Sequence, residues 1–414
     1  MLDLQPDKNT SVFPYGHIDR SNWKRVRLGD FESHRNNTCA RSLMTSDTGS
    51  VHNIHYGDIL VKYDEVVSLL HHNVDCLTVE GETHSPKDYV CDGDVIIADT
   101  AEDETVGKTV EIQDVGNRKV VAGLHTFLYR PPSNMFVRGW LGYWMNSSAY
   151  HSQLFQYMTG TKVLSLTRAS IAATVIQYPS RELQQQIVTA LDSIHAQIKA
   201  TQKLIAKYDA IKKATVNLLL KPGEDCPSVR LGDVAKIFRG GSPRPIQNYI
   251  TEESTGINWI KIGDVATDAK YIKHTAEKIK PTGVQMSRQV KAGDFILSNS
   301  MSFGRPYILK IDGCIHDGWL AIQDYQETFD VDYLYYLLGS DFVLAQYQTN
   351  AAGSSVKNLN KEIVSNIILP QTPIPEQHMI ANQIATIDNA LNDCRAQLAK
   401  AQNLKNGLMS YFFG

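Results

Sequence analysis

Polar, loop-forming residues able to exchange hydrogen bonds with a ligand gather at a few places along the 414-residue chain. In the second half they are Arg239, Gly241, Ser242 and Arg244, then Asn299, Ser300, Ser302 and Arg305, and then His316 and Trp319. In the first half they are Asp99, Thr100, Thr105, Lys108, His125 and Thr126. Arginine, lysine, amides and hydroxyls on loops are what reading base edges and holding phosphates requires. Each residue also has a plainer reading as part of a turn or surface. Gly160-Thr161-Lys162 and Gly353-Ser354-Ser355, the latter followed by Lys357, occur at matching places in both halves. Residues shared by two halves suit structure, phosphate or a partner, whereas residues that differ can distinguish sequences. Base discrimination is therefore expected upstream of these shared turns.

Catalytic patterns are missing. The chain has no Asn-Pro-Pro-Tyr or Asp-Pro-Pro-Tyr set of an amino-methyltransferase, and Arg130-Pro131-Pro132-Ser133 reads as a proline turn. Gly107-Lys108-Thr109 resembles the tail of a phosphate loop. The glycine required five residues earlier is Glu102, with Asp103 and Glu104 beside it, and carboxylates there would repel phosphate. A β-turn is the better reading. His52/His55 and His71-His72 are the nearest histidine sets, and no H-E-x-x-H pattern occurs, so no metal site is expected. Glu102, Asp103 and Glu104 read as a solvated loop rather than an acid–base pair.

Elements that could position such loops come in two copies. Residues 143–220 align with 336–413 without a gap, at a constant spacing of 193. Upstream the spacing drifts: Val26-Arg-Leu-Gly-Asp30 matches Val229-Arg-Leu-Gly-Asp233, Gly57-Asp58 pairs with Gly263-Asp264, and Gly93-Asp94 matches Gly293-Asp294. Insertions accumulate in loops, so each copy has a variable part and a rigidly spaced end. The variable parts alternate short β-rich runs with turn residues, which predicts a compact α+β domain with a twisted sheet. Short helices are expected near Trp140–Ser147 and Val331–Ser340. The rigid ends carry apolar residues in steps of three and four. These are Ile187, Leu191, Ile194, Ile198, Ile205 and Tyr208, then Ile380, Ile384, Ile387, Leu391, Cys394, Leu398, Ala401, Leu408 and Phe412. That is a coiled-coil seam. A helix of about 40 residues is roughly 60 Å long and needs a partner for its stripe. The other copy, lying antiparallel, is the simplest partner; packing on its own domain is the alternative.

Composition sets outer limits. Apolar residues make up 43% and charged residues 21%, typical of a globular protein. The net charge of −3 gives no sign of the basic domain that usually accompanies nucleic acid. No run approaches a membrane span, and the start of the chain, acidic and broken by Pro6, is not a signal peptide. The six scattered cysteines form no C-x-x-C pair, as expected of reduced thiols in a cytoplasmic protein.

Several stretches carry a family resemblance. Val229-Arg-Leu-Gly-Asp-Val-Ala-Lys-Ile-Phe-Arg-Gly-Gly-Ser-Pro-Arg-Pro245, Asn258-Trp-Ile-Lys-Ile-Gly-Asp264, Gly353-Ser-Ser-Val-Lys-Asn-Leu359 and Leu369-Pro370 through Pro373-Ile-Pro-Glu-Gln377 resemble specificity subunits of Type I restriction–modification systems. In the first half Ile96–Lys108 and Val121–Thr126 resemble the same family's sheet and loop. Pro179-Ser-Arg-Glu-Leu183 departs from it, lacking the second proline and the Glu-Gln pair, which predicts a helix start that differs in detail. The resemblance implies an α+β fold with target-recognition domains over residues 1–178 and 222–372, and antiparallel spacer helices over 179–221 and 373–414. It implies that each domain reads one half of a bipartite site in double-stranded DNA. It also implies that the helices fix the gap and dock two modification subunits. The implied chain is non-catalytic and holds no cofactor. S-adenosylmethionine would sit on the modification subunits, which methylate adenine at N6, and ATP and Mg on restriction subunits. Two other classes stay open from the residues alone: a coiled-coil scaffold with paired protein-binding domains, and an orphan DNA-binding specificity protein. A self-sufficient DNA-modifying enzyme lacks its motifs.

Overall fold

The computed structural model describes residues 18–45, 49–78, 85–223, 225–265, 269–299, 304–351 and 358–414. They form two compact units, Met1–Thr201 with Gln397–Gly414, and Gln202–Ala396. Each unit therefore takes in the end of one long helix and the start of another, a division that cuts across the four segments drawn from sequence.

In the first unit, strands β1 (Val51–Ile54), β2 (Val95–Ala98), β3 (Lys119–Ala122) and β4 (Thr126–Arg130) carry the centre of two sheets. One sheet runs Glu32–His34, β4, β2, Thr109–Gln113, Val66–Ser68; the other runs β3, β1, Cys76–Leu77, Met44–Thr45. Within the second, β3 and β1 are parallel, with Ala122 opposite Ile54. Val95, Ile96, Ile97 and Ala98 are all buried because both faces of β2 are covered. Helix α1 (Trp140–Met145) supplies Trp140 and Trp144, which meet the Phe413 ring edge-on at 5.4 and 5.5 Å. Helix α2 (Arg181–Leu219) begins here, with Ile187, Val188 and Leu191 in the same core.

The second unit repeats the plan with β5 (Lys236–Arg239), β6 (Ile257–Ile260), β7 (Phe295–Ser298), β8 (Gly313–Ile315) and β9 (Trp319–Gln323). One sheet runs β5, β9, β7, Pro306–Leu309, Tyr271–Ile272; the other runs Ile250–Thr251, Glu277–Ile279, β6, β8, Arg288–Val290. Again one pair in the second sheet, β6 and β8, is parallel. Helix α3 (Val331–Leu338) and the last helix, α4 (Ile374–Phe413), complete it.

The long helices pack in both ways considered from sequence. Their first turns serve their own domain, as Ile187 and Leu191 do in the first unit and Ala381 and Ile384 in the second. Further on the helices pair with each other. Ile194 and Ile198 pack with Leu398, Ala401 and Leu408 in the first unit. In the second, Asp209 meets Arg395 at 3.4 Å and Lys212 meets Asp388 at 2.5 Å; ascending numbers meet descending ones, so the helices are antiparallel.

The start of each long helix corrects one expectation. Gln184 Oε1 accepts from the Val137 amide at 2.9 Å and its Nε2 donates to the Pro179 carbonyl at 3.1 Å. Gln377 does the same with the Asp330 amide, 2.8 Å, and the Thr372 carbonyl, 2.7 Å. One glutamine, 193 residues from its counterpart, makes the same clasp despite the missing second proline, because the bonds need only its amide and backbone groups.

Candidate nucleic-acid interface

Both units build one end of their fold by the same backbone device. Just after the first strand of each parallel pair ends, its last carbonyl accepts from the chain leaving the second. The Gly123 amide bonds to Ile54 at 2.8 Å, and the His316 amide to Ile260 at 3.1 Å. The residue after β2 or β7 then joins the site. The Asp99 amide donates to His125 and the Asn299 amide to Gly318, both at 3.1 Å. The carbonyls of Asp99 and Asn299 accept from Leu166, 2.8 Å, and Leu359, 2.9 Å, respectively. The scaffold is therefore common to both units while its side chains differ.

In the first unit the scaffold carries Asp99, Thr100 and His125. Thr100 Oγ1 donates to Asp99 Oδ1 at 2.7 Å, and His125 Nδ1 lies 3.2 Å from the same oxygen. His125 is exposed on a left-handed turn with φ 55°. Tyr56 stands edge-on to it at 5.3 Å between centroids, and His55 packs on Tyr56 at 4.6 Å. Burial lowers the pKa of His55. Arg41 adds a guanidinium, with Nη2 2.8 Å from Asp58 Oδ1.

In the second unit Asp317 organises the site. Its Oδ1 accepts from Ser242 Oγ at 3.0 Å and faces His316 Nε2 at 2.9 Å, while its Oδ2 accepts from Arg244 Nη2 at 3.2 Å. Burial opposes the Asp317 charge, but Ser242, His316 and Arg244 outweigh it and hold the carboxyl below the usual carboxylate range. Asn299 Nδ2 donates to the Asp317 carbonyl at 3.2 Å. The loop reaches this place because Gly240 has no side chain: a Cβ there would run into the His316 carbonyl. The Gly241 amide donates to Ile315, so Gly241 serves the scaffold. Ser242, Arg244, Trp259, Lys261, Glu277 and His316 line a cleft of about 860 Å³, the volume range of ligand sites. Arg239 ends β5, exposed.

Other expected positions fall elsewhere. Trp319 is 1% exposed, packed edge-on against Tyr307, and is corrected from a contact residue to a core residue. Thr126 is likewise fully buried, its hydroxyl donating to Gly123 at 2.6 Å. Both stand at the first position of equivalent strands that lie inside their sheets, between two apolar cores. Lys108 is turned to its own fold: its Nζ donates to the Leu60 and Tyr63 carbonyls at 3.1 and 2.9 Å. Thr105 is exposed and bonds Asp103 within its own turn. Arg305 lies over the Tyr307 ring in a separate groove with Lys212, Tyr335 and Tyr336. Thr161 and Lys162 are exposed in a turn that follows Gly160, whose φ is 124°. Ser300, Ser302, Ser354, Ser355 and Lys357 lie outside the described residues. Sequence reasoning missed Arg41, Asp58, Tyr56 and Asp317. The pairing of Gly57-Asp58 with Gly263-Asp264, and the His-Asp-Gly run at 316–318, were the available signals.

Residues 223–401 match the Type I restriction modification DNA specificity domain. The second half of the chain therefore carries a domain of the kind found in Type I restriction–modification specificity subunits. It is 23% identical over 338 residues to the putative type I restriction enzyme MjaX specificity subunit of Methanocaldococcus jannaschii, covering 77% of each chain. It is 22% identical over 292 residues to the EcoDI specificity subunit of Escherichia coli, covering 61% of this chain and 65% of that one. Among solved structures, the Type I specificity subunit from M. genitalium shares the fold, with a TM-score of 0.58 at 10% identity over 97% of this chain and 98% of that one. A chain from a type I restriction–modification assembly scores the same at 19% identity, over 97% of this chain and 99% of that one. Among the described residues of this chain, no helix is long and apolar enough to cross a membrane.

Proposed function

We propose that each unit reads one half of a bipartite duplex site and that the paired helices set the gap between the halves. The observation that carries this reading is the shared backbone scaffold with unlike side chains: Asp99, Thr100 and His125 in one unit, and Ser242, Arg244, Asn299, His316 and Asp317 in the other. A common frame with different hydrogen-bonding edges suits two half-sites of different sequence.

The helices also dock two modification subunits, which bring S-adenosylmethionine. Adenine methylation needs the base extruded into a pocket, and the partner supplies that pocket. Restriction subunits, with ATP and Mg, add cleavage. In the test, the purified chain alone transfers no methyl group, while chain plus modification subunits methylates a split sequence and ignores random duplex. Methyl transfer by the isolated chain, or modification without sequence preference by the assembly, overturns the reading.

A further inference from the structure

An arginine reads guanine through two parallel donors, and anything that pre-orients its fork favours that pairing. Where a carboxylate fixes one edge of the fork, the remaining donors can meet O6 and N7 of the base with less side-chain freedom lost on binding. Exposed arginines held by carboxylates occur at several places here, including Arg138 on Asp114 and Arg230 on Asp233. Two of them stand at the carboxyl ends of the parallel strand pairs.

Arg244 is 82% exposed, and a single nitrogen, Nη2, contacts Asp317, in the turn that directly follows β8. Pro243 and Pro245 stiffen the backbone on either side of it. Arg41 is 56% exposed and again uses only Nη2, on Asp58, whose side chain is 3% exposed and follows β1 by four residues. Its Nη1 lies 3.9 Å from where a Cβ on Gly57 would stand, close to the His55 ring. The two arginines come from unrelated loops, yet each rests on a carboxylate placed by the parallel pair, beside a histidine.

From this geometry we infer that Arg41 and Arg244 are the guanine-reading residues of the first and second units, with Asp58 and Asp317 as their positioning residues. The inference rests on the proposed reading of duplex DNA. The bond to Asp58 holds Arg41 more firmly protonated than a free guanidinium.

The test presents the full chain, assembled with its modification subunits, with duplexes randomised across both half-sites, and sequences those retained. The expected wild-type profile has a guanine preference in each half. Arg41→Ala removes it in one half and Arg244→Ala in the other, each by about 5- to 150-fold at one position. Arg138→Ala leaves both preferences in place. Asp58→Asn and Asp317→Asn relax the same positions as their arginines. Should an alanine variant fail to fold, Arg41→Lys and Arg244→Lys keep the charge but lose the fork, and they too lose the preference.

Equal loss on every sequence, with a salt dependence shallower by about one ion, assigns these residues to phosphate and overturns the inference while the proposed function stands. Unchanged profiles, or wild-type preferences without guanine at these positions, overturn it in the same way. A wild-type assembly without any sequence preference sinks the proposed function together with the inference.

Discussion

At the scale of single residues, burial decides which candidates can touch a ligand. Trp319 looked like a stacking aromatic and is a core residue, so Trp319→Ala should cost about 3–5 kcal/mol in unfolding free energy. Denaturant titration checks this; a stable variant with altered base preference would show that the ring faces DNA. Arg239 is exposed and meets no carboxylate among the described residues, so it is a candidate to supply charge without a fixed orientation. Arg239→Ala should weaken binding equally on all sequences and reduce the log–log salt slope by about 0.9. Histidines give a pH dependence. Burial lowers the pKa of His55, His151 and His195 from 6.5, so the unfolded chain takes up these protons at higher pH than the folded one. Their contribution to stability is therefore present above pH 6.5 and lost as the pH falls through 6.5 toward the folded values. Denaturation midpoints should fall on acidification, and His151→Gln should flatten that fall.

At the scale of elements, one buried glutamine joins each long helix to its domain. Gln184 and Gln377 each satisfy backbone groups on two segments. Replacing either by alanine strands those groups, at a cost of about 1–3 kcal/mol. Gln184→Ala and Gln377→Ala should therefore be destabilised to similar degrees, as read by thermal or denaturant melts. A second shared feature joins the helices to the domain edges. The Tyr143 hydroxyl donates to Asp192 at 2.7 Å, and the Tyr336 hydroxyl to Asp388 at 2.8 Å. Lys405 and Lys212, 193 residues apart, each lie 5.9 Å from the ring of the corresponding tyrosine. The rigid spacing of 193 thus preserves the tyrosine and the lysine as well as an apolar seam, while the aspartate partners, 196 residues apart, sit about one helical turn out of step.

At the scale of the whole molecule, charge is distributed unevenly. The acidic excess falls in residues 1–178 and a basic excess in 179–221, within a net charge of −3. Phosphate attraction is mostly electrostatic, so the isolated chain should bind duplex weakly and the assembly tightly. Titration of one labelled duplex with each, at fixed salt, measures the difference; equal affinity would contradict it. If the helices set the gap, removing one heptad from each shortens them by about 10 Å. The tolerated gap should then shrink by about three base pairs, at roughly 3.4 Å per pair, with the bases read unchanged. An unchanged gap would separate the helices from that role.

The sequence alone determined the duplicated plan, the α+β class and the two long helices. Repeats and apolar periodicity are local in the chain, and a strict spacing over seventy-odd residues survives any reading of the loops. It also placed Ser242, Arg244, Asn299 and His316 among the candidates, because polar side chains on loops are what base and phosphate contacts require. Only the tertiary structure decided which candidates meet. Asp317 gathers Ser242 and Arg244 from more than seventy residues away, and Asp58 holds Arg41 from 17 residues away. Trp319 and Thr126 are buried because apolar cores cover both faces of their sheets, a fact set by the elements packed around them. Side-chain direction and long-range pairing are properties of the packed sheets, so no local pattern in the chain could have supplied them.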